Sequence, residues 1–228
     1  KNVKIAGAPI SWGVCEVPNW GHQMTPDRVL TEMAELGLGA TEFGPLGFLP
    51  VEPADRAAAL AKHGMEAVGG FFPIVIHNPD FDPIPAVLEE LKSYAASGAK
   101  TLVLSAETGL EGYDTKRPDL DEAGWATVFK NLERIKDAAA AQGVTTVLHP
   151  HVGTMVETEA DVMQVLNGST IKFCLDTGHM IIGGTDPVAF AKNHADRVAH
   201  SHLKDVNLAV ADRVQSGEIT YYQGILEG

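Results

Sequence analysis

Ile171-Lys172-Phe173-Cys174-Leu175 is a short, mostly apolar run that ends in Asp176-Thr177-Gly178-His179. A run of that length closed by polar residues reads as a strand buried on both faces, as parallel strands are. Before it, Thr158 with Asp161 resembles a capping box. It opens a helix marked by Val162, Val165 and Leu166, with Gly168 after them. After it, Asp186-Pro187 opens a short helix, and Val198–Leu203 is the next apolar run. The unit is therefore strand, polar end, loop and helix.

The same unit recurs towards the N-terminus. Val3–Trp12, Ala40–Phe43, Ala67–Ile76, Thr101–Leu104 and Thr145–Leu148 are further runs, which brings the expected strands to seven. Thr25 as N-cap and Pro26 in the first turn open a helix with Val29, Leu30 and Met33 on its apolar stripe and Gly37 at its end. Pro53 opens a second, which stops at Gly64. Val87, Leu88, Leu91 and Tyr94 mark a third, closed by Gly98. Trp125, Val128, Phe129, Leu132 and Ile135 mark the longest, closed by Gly143. Gly69-Gly70 inside a strand implies close packing or a bulge.

Strict alternation of strand and helix implies a parallel sheet. Polar residues end nearly every strand, and no phosphate-binding glycine loop follows the first, which favours a (β/α)8 TIM barrel over an open doubly wound sheet. Gly37 and Gly39 with Glu42 follow a helix and read as a C-cap and a turn. GxxxxGK[ST] and GxSxG are absent. No linker divides the chain, so residues 1–228 are expected to form one domain. Ile219-Thr220-Tyr221-Tyr222 has strand-like composition but is short for a barrel strand. The eighth βα unit is therefore expected to be missing or incomplete.

Composition narrows the function classes. The 228 residues are 45% hydrophobic, which suits a globular domain with a sizeable core. A net charge of −13, from 17 basic and 30 acidic residues, argues against nucleic acid as a partner. No apolar run approaches the roughly 20 residues of a membrane span, and no signal-peptide pattern is visible. Cys15 and Cys174 sit in apolar strand-like contexts and read as buried thiols, which suggests a reducing cytoplasm.

Catalytic groups of a barrel sit where its strands end. Those positions hold Trp12, Glu42, Glu107, His149 and His151, Asp176 and His179, and His202 and Lys204. Imidazoles and carboxylates together are the ligand types that divalent transition metals prefer. Plainer readings stand beside these. Asp176 can cap the following turn, His202 can be a hydrogen-bonded core histidine, and Trp12 can be barrel packing. Lys204 can pair with Asp205 or Asp176, and His151 can replace His149 as a ligand.

Leu175-Asp176-Thr177-Gly178-His179 followed by His200-Ser201-His202-Leu203-Lys204-Asp205 resembles the xylose-isomerase-like sugar isomerase/epimerase superfamily. Gly7-Ala8-Pro9-Ile10-Ser11-Trp12-Gly13, Trp20-Gly21-His22-Gln23-Met24 and Thr41-Glu42-Phe43-Gly44-Pro45 are similar to its inosose dehydratase branch. The resemblance implies metal ligation by Asp176 and His202. His149 stands where most of the superfamily has Glu, and the eighth-strand Glu has no counterpart. It implies a divalent metal, foremost Mn²⁺ or Co²⁺, with Zn²⁺, Fe²⁺ and Mg²⁺ compatible. It also implies a lyase that dehydrates a polyhydroxylated cyclic ketone such as inosose. Proton handling falls to Glu42, His149 and His151, and enolate stabilisation to Lys204. Substrate contacts fall to Trp12, His179 and Glu107. A keto-sugar isomerase or epimerase is the alternative, and a non-catalytic metal- or ligand-binding barrel fragment is a third reading. The expected partner is a small polyol ketone or keto-sugar, with a homodimer allowed and no membrane. Because imidazole must be neutral to ligate, metal affinity is expected to fall below about pH 6.

Overall fold

The computed structural model describes residues 4–17 and 20–228; Val3, the start of the first expected strand, lies outside them. The described strands are β1 Ala40–Glu42, β2 Glu66–Val75, β3 Thr101–Glu107, β4 Thr145–Leu148, β5 Lys172–Asp176 and β6 Val198–His202. Helix α1 is Pro26–Glu35. Between strands run α2 Pro53–Lys62, α3 Ile84–Ser97, α4 Glu122–Ala140, α5 Glu159–Gly168, α6 Thr177–Ile182 and α7 Pro187–Asn193. After β6 come α8 Leu208–Gln215 and α9 Tyr221–Glu227. The six strands form one sheet in chain order, and β1–β2, β4–β5 and β5–β6 pair in parallel.

Six of the seven expected strands thus form. The first does not. Among the described residues of that run only Gly7 pairs, donating to Ala40 O at 2.9 Å and accepting from Glu42 N at 3.0 Å. Pro9 has no N–H to give a ladder and its φ is fixed, so Pro9–Trp12 closes into a 3₁₀ turn instead. Thr25 precedes α1 with extended backbone, but its side chain makes no capping bond; Pro26 at the first position carries the start. Thr158 and Asp161 form the expected capping box. Ile219–Tyr222 is not a strand, because Thr220 and Gln223 cap α9 there. Among the described residues no helix is long and apolar enough to cross a membrane.

Two compact units divide the chain. The first joins Lys1–Phe71, Pro85–Leu102 and Ala138–Thr145. Its core includes Val29, Leu30 and Met33 of α1, Leu60 of α2, and Val87, Leu91 and Tyr94 of α3, all buried as the helical stripes require. Leu88, placed on that stripe by the pattern, is instead exposed. The β1–β2 ladder carries a bulge. Thr41 pairs Ala67 but Glu42 pairs Gly69, so Val68 is the extra residue. Gly69 has φ +156°, and a Cβ there would lie 1.7 Å from Thr101 O. The Tyr94 hydroxyl accepts from Gly70 N–H at 3.0 Å and donates to Gly70 O at 3.2 Å, locking the strand just past the bulge. Its ring meets Phe43 edge-on at 5.4 Å, and Arg56 lies over Phe43 at 5.0 Å.

The second unit comprises Phe72–Ile84, Val103–Asp137 and Thr146–Gly228. Val128, Leu132 and Ile135 of α4 and Val162 and Val165 of α5 are fully buried there. Arg197, just before β6, ties the start of β5 down. Its guanidinium donates to the carbonyls of Leu166, Ser169 and Ile171 at 2.7–3.1 Å and lies 5.6 Å from the centre of the Phe173 ring. The same residue thus satisfies carbonyls at the end of α5 and anchors the entry to β5.

Gly69→Ala should lower stability by about 3 kcal/mol, or roughly 6–12 °C in Tm, because the new methyl and the Thr101 carbonyl cannot share the space. Thermal unfolding followed by circular dichroism measures this. An unchanged Tm would show that β2 and β3 do not approach at Gly69.

Candidate active site

The site in the second unit is organised by Asp176, the last residue of β5 and the N-cap of α6. Its two oxygens have separate duties. Oδ1 accepts from the His179 N–H at 2.9 Å, which starts α6. Oδ2 lies 3.0 Å from His149 Nε2, 2.8 Å from Lys204 Nζ and 3.5 Å from His202 Nδ1. The capping reading of Asp176 is therefore correct, and its other oxygen meets His149, His202 and Lys204. Register explains the convergence. Phe173 pairs Val198, but a slip between Phe173 and Cys174 sets Cys174 across from His200 and Asp176 across from His202. Without the slip Asp176 would face Ser201, and His202 would fall on the other side of the pleat. His149 follows β4 directly, its N–H held by Leu104 O at 2.8 Å.

Lys204 is fixed at its backbone and its stem. Thr177 Oγ1 accepts from Lys204 N–H at 2.9 Å and donates to Lys204 O at 2.7 Å. Gly178 admits the stem, since a Cβ there would stand 2.9 Å from Lys204 Cβ.

Beside this centre, Val152 sets the tautomers of two histidines. His151 Nδ1 lies 2.7 Å from Val152 O, and a carbonyl only accepts, so Nδ1 carries the proton and Nε2 is unprotonated. Val152 N–H donates to His179 Nδ1 at 3.4 Å, so Nδ1 is bare and Nε2 carries the proton. The two rings are 3.7 Å apart between centres. Tyr113 lies 4.6 Å from the His151 ring, and Tyr221 5.8 Å from that of His179. Tyr222 holds Tyr113 in place, its hydroxyl accepting from Tyr113 N–H at 3.1 Å.

Burial governs the charges. It pushes the His149 imidazole down to about 4, the Asp176 carboxylate only partly opposing it. Burial and the neighbouring His149 hold His151 well below the usual imidazole range, and burial and His151 do the same to His179. All three are neutral at pH 7. Burial pushes Asp176 upward, but hydrogen bonds from His149 and His202 outweigh it and keep it an anion.

A carboxylate beside the neutral imidazoles of His149 and His179 fits a divalent cation. Ligand atoms about 2.1 Å from one ion lie about 3.0–3.4 Å apart, close to the 3.0 and 3.5 Å found around Oδ2. Ligand atoms of His149, Asp176 and His179 also lie within 4.8 Å of one another.

The structure thus brings together His149, His151, Asp176, His179, His202 and Lys204. Glu107 ends β3 half-buried. Trp12 and Glu42 belong to the first unit: Trp12 donates its indole N–H to Glu32 at 2.8 Å, and Glu42 is buried at the bulge. Sequence reading missed Tyr113, Thr177 and Val152. Thr177 was adjacent to Asp176 and open to inspection. Tyr113 lies in a loop without periodicity, and Val152 acts through its backbone, which no side-chain motif reports.

The xylose isomerase-like TIM barrel family matches residues 30–225. The chain is 31% identical over 236 residues to the rhizopine catabolism protein MocC of Rhizobium meliloti, covering all of this chain and 72% of that protein. It is 31% identical over 242 residues to an inosose dehydratase of Geobacillus kaustophilus, covering 99% of this chain and 76% of the relative. Among solved structures an L-ribulose 3-epimerase shares the fold, with a TM-score of 0.68 at 16% identity, over 96% of this chain and 79% of that one. The chain belongs to the xylose isomerase-like TIM barrel family, and its alternating strands and helices are units of that (β/α)8 fold.

Proposed function

We propose that this chain is a metal-dependent lyase that removes water from a polyhydroxylated cyclic ketone, with inosose as the type substrate. The observation that carries the reading is the His151–His179 pair, one unprotonated nitrogen and one N–H set side by side. Elimination needs a base at the α-carbon and a donor at the neighbouring hydroxyl. Epimerisation needs proton transfer on opposite faces of one carbon, which two adjacent rings suit less well. Relatives described as inosose dehydratases support the same choice.

His149, Asp176 and His202 would hold a divalent cation. A divalent cation bound there supplies Lewis-acid polarisation of the substrate oxygens. His151 Nε2 takes the α-proton, and the C–H electron pair becomes the new C=C bond. The β-carbon–oxygen bond breaks, and the hydroxyl leaves as water. His179 Nε2–H hydrogen-bonds that oxygen as it leaves, and the single proton taken up by His151 Nε2 passes to it and completes the water. Lys204 Nζ, poised on Asp176, turns to the developing enolate oxygen. Tyr113 and Tyr221 wall the histidine pair and exclude water from it.

Incubating the metal-loaded protein with inosose should raise near-ultraviolet absorbance as the dehydrated product forms. Product with the mass of substrate and no absorbance change would make the enzyme an epimerase. His151→Gln should lower kcat by about 10²–10⁴-fold while the protein still binds metal. A variant with full turnover would remove His151 from proton transfer.

Asp176→Ala should abolish metal retention, measured as bound ion after gel filtration. Retention equal to that of the native chain would place the metal elsewhere.

The depressed imidazoles also set a pH window. His149 moves from 6.5 to about 4 on folding, so the unfolded chain binds more protons between those values. Stability of the metal-free protein should therefore fall as pH drops from 6.5 towards 4. Proton competition with metal at His149 should set in near pH 4, below the value of about 6 expected for ordinary imidazoles. Metal content after dialysis at stepped pH tests this, and release already complete at pH 6 would contradict it.

A further inference from the structure

Cys174 plays no part in the chemistry above, yet it sits against the same histidines. It is fully buried and in no disulfide. It lies two residues before Asp176 on β5, so the two side chains share a face of the pleat, about 6.6 Å apart along the strand. The slip in register that sets Asp176 opposite His202 begins at Cys174. Cys174 Sγ, one ring nitrogen of His149 and one of His202 all lie within 4.8 Å of one another. His149 also groups with Asp176 and His179 within the same limit, so it belongs to two donor groupings, an outer one that holds a carboxylate and an inner one that holds a thiol.

Those groupings differ in chemical taste. Carboxylate with imidazole accepts Mn²⁺ and Mg²⁺ as well as later metals. A thiolate with two imidazoles is a set for Zn²⁺ or Co²⁺ and a poor one for Mg²⁺. We infer that Cys174, together with His149 and His202, is a metal ligand, and that this donor set favours Zn²⁺ and Co²⁺ over Mn²⁺ and Mg²⁺. The inference rests on reading the Asp176 cluster as a metal centre. On binding, the S–H bond gives way to a sulfur–metal bond, and the thiol proton passes to solvent.

Cobalt reports the ligand directly. The full chain is loaded with Co²⁺, and its near-ultraviolet spectrum is compared with those of Cys174→Ser, Cys174→Ala and Cys15→Ser, each checked for native circular dichroism. An intense sulfur-to-cobalt charge-transfer band is expected in the native chain and in Cys15→Ser, and absent from both Cys174 variants. Competition between Zn²⁺ and Mn²⁺ should shift at least about tenfold towards Mn²⁺ when Cys174 is replaced. A protein that binds Co²⁺ without that band, and whose metal preference ignores Cys174, overturns the inference and leaves the Asp176 centre standing. Absence of any bound Co²⁺ overturns both.

Discussion

The carboxylate of Asp176 is the interaction on which the rest of the second unit's chemistry depends. A fully buried anion is tolerated only when both oxygens are satisfied. Here one oxygen is consumed by the backbone of α6, which fixes the side chain rigidly. The other is then presented to His149, His202 and Lys204 without freedom to turn away. The aspartate that starts a helix is thereby a pre-organised centre of negative charge. Of the imidazoles near it, His149 and His179 stay neutral because burial penalises their charged forms more than the one anion can repay.

Geometry at the strand ends follows from small departures in the ladders. The slip between Phe173 and Cys174 decides which face of β6 meets Asp176, and Arg197 pins the strands just upstream of it. In the first unit a comparable bulge at Val68 sits opposite Glu42, with Gly69 admitting the neighbouring strand. Each irregularity adjoins a residue singled out for chemistry. Regular pairing would give equal stability along the strand but would not choose these side chains.

Much of this was legible in the sequence because it rests on local rules. Period, capping and helix-closing glycines marked β1 to β6, α1 to α5 and α7, but not α6, and the polar residues after each run marked Asp176, His149 and His202 as strand-end groups. The failures have equally local causes. Pro9 converts an apolar run into a turn, a competition that composition alone does not reveal. By contrast, Ile219–Tyr222, strand-like in residue type but too short for a barrel strand, is indeed not one, and the capping box of Thr220 and Gln223 starts α9 there. Register is a long-range property, so the pairing of Asp176 with His202 across a slip was not readable. The depth of burial that pulls His149 down to about 4 was hidden for the same reason.

Val152 carries one more implication. Its carbonyl and its N–H assign opposite tautomers to His151 and His179. That instruction is written in the main chain, so the side chain at 152 can change freely without altering which ring gives and which takes. Only a reversal of the peptide plane, or a proline in place of Val152, would redistribute the protons. The polarity of the pair is thus inherited with the loop conformation and is insulated from most single substitutions. A related chain that keeps both histidines but folds this loop differently would hold the same residues and run its proton traffic the other way.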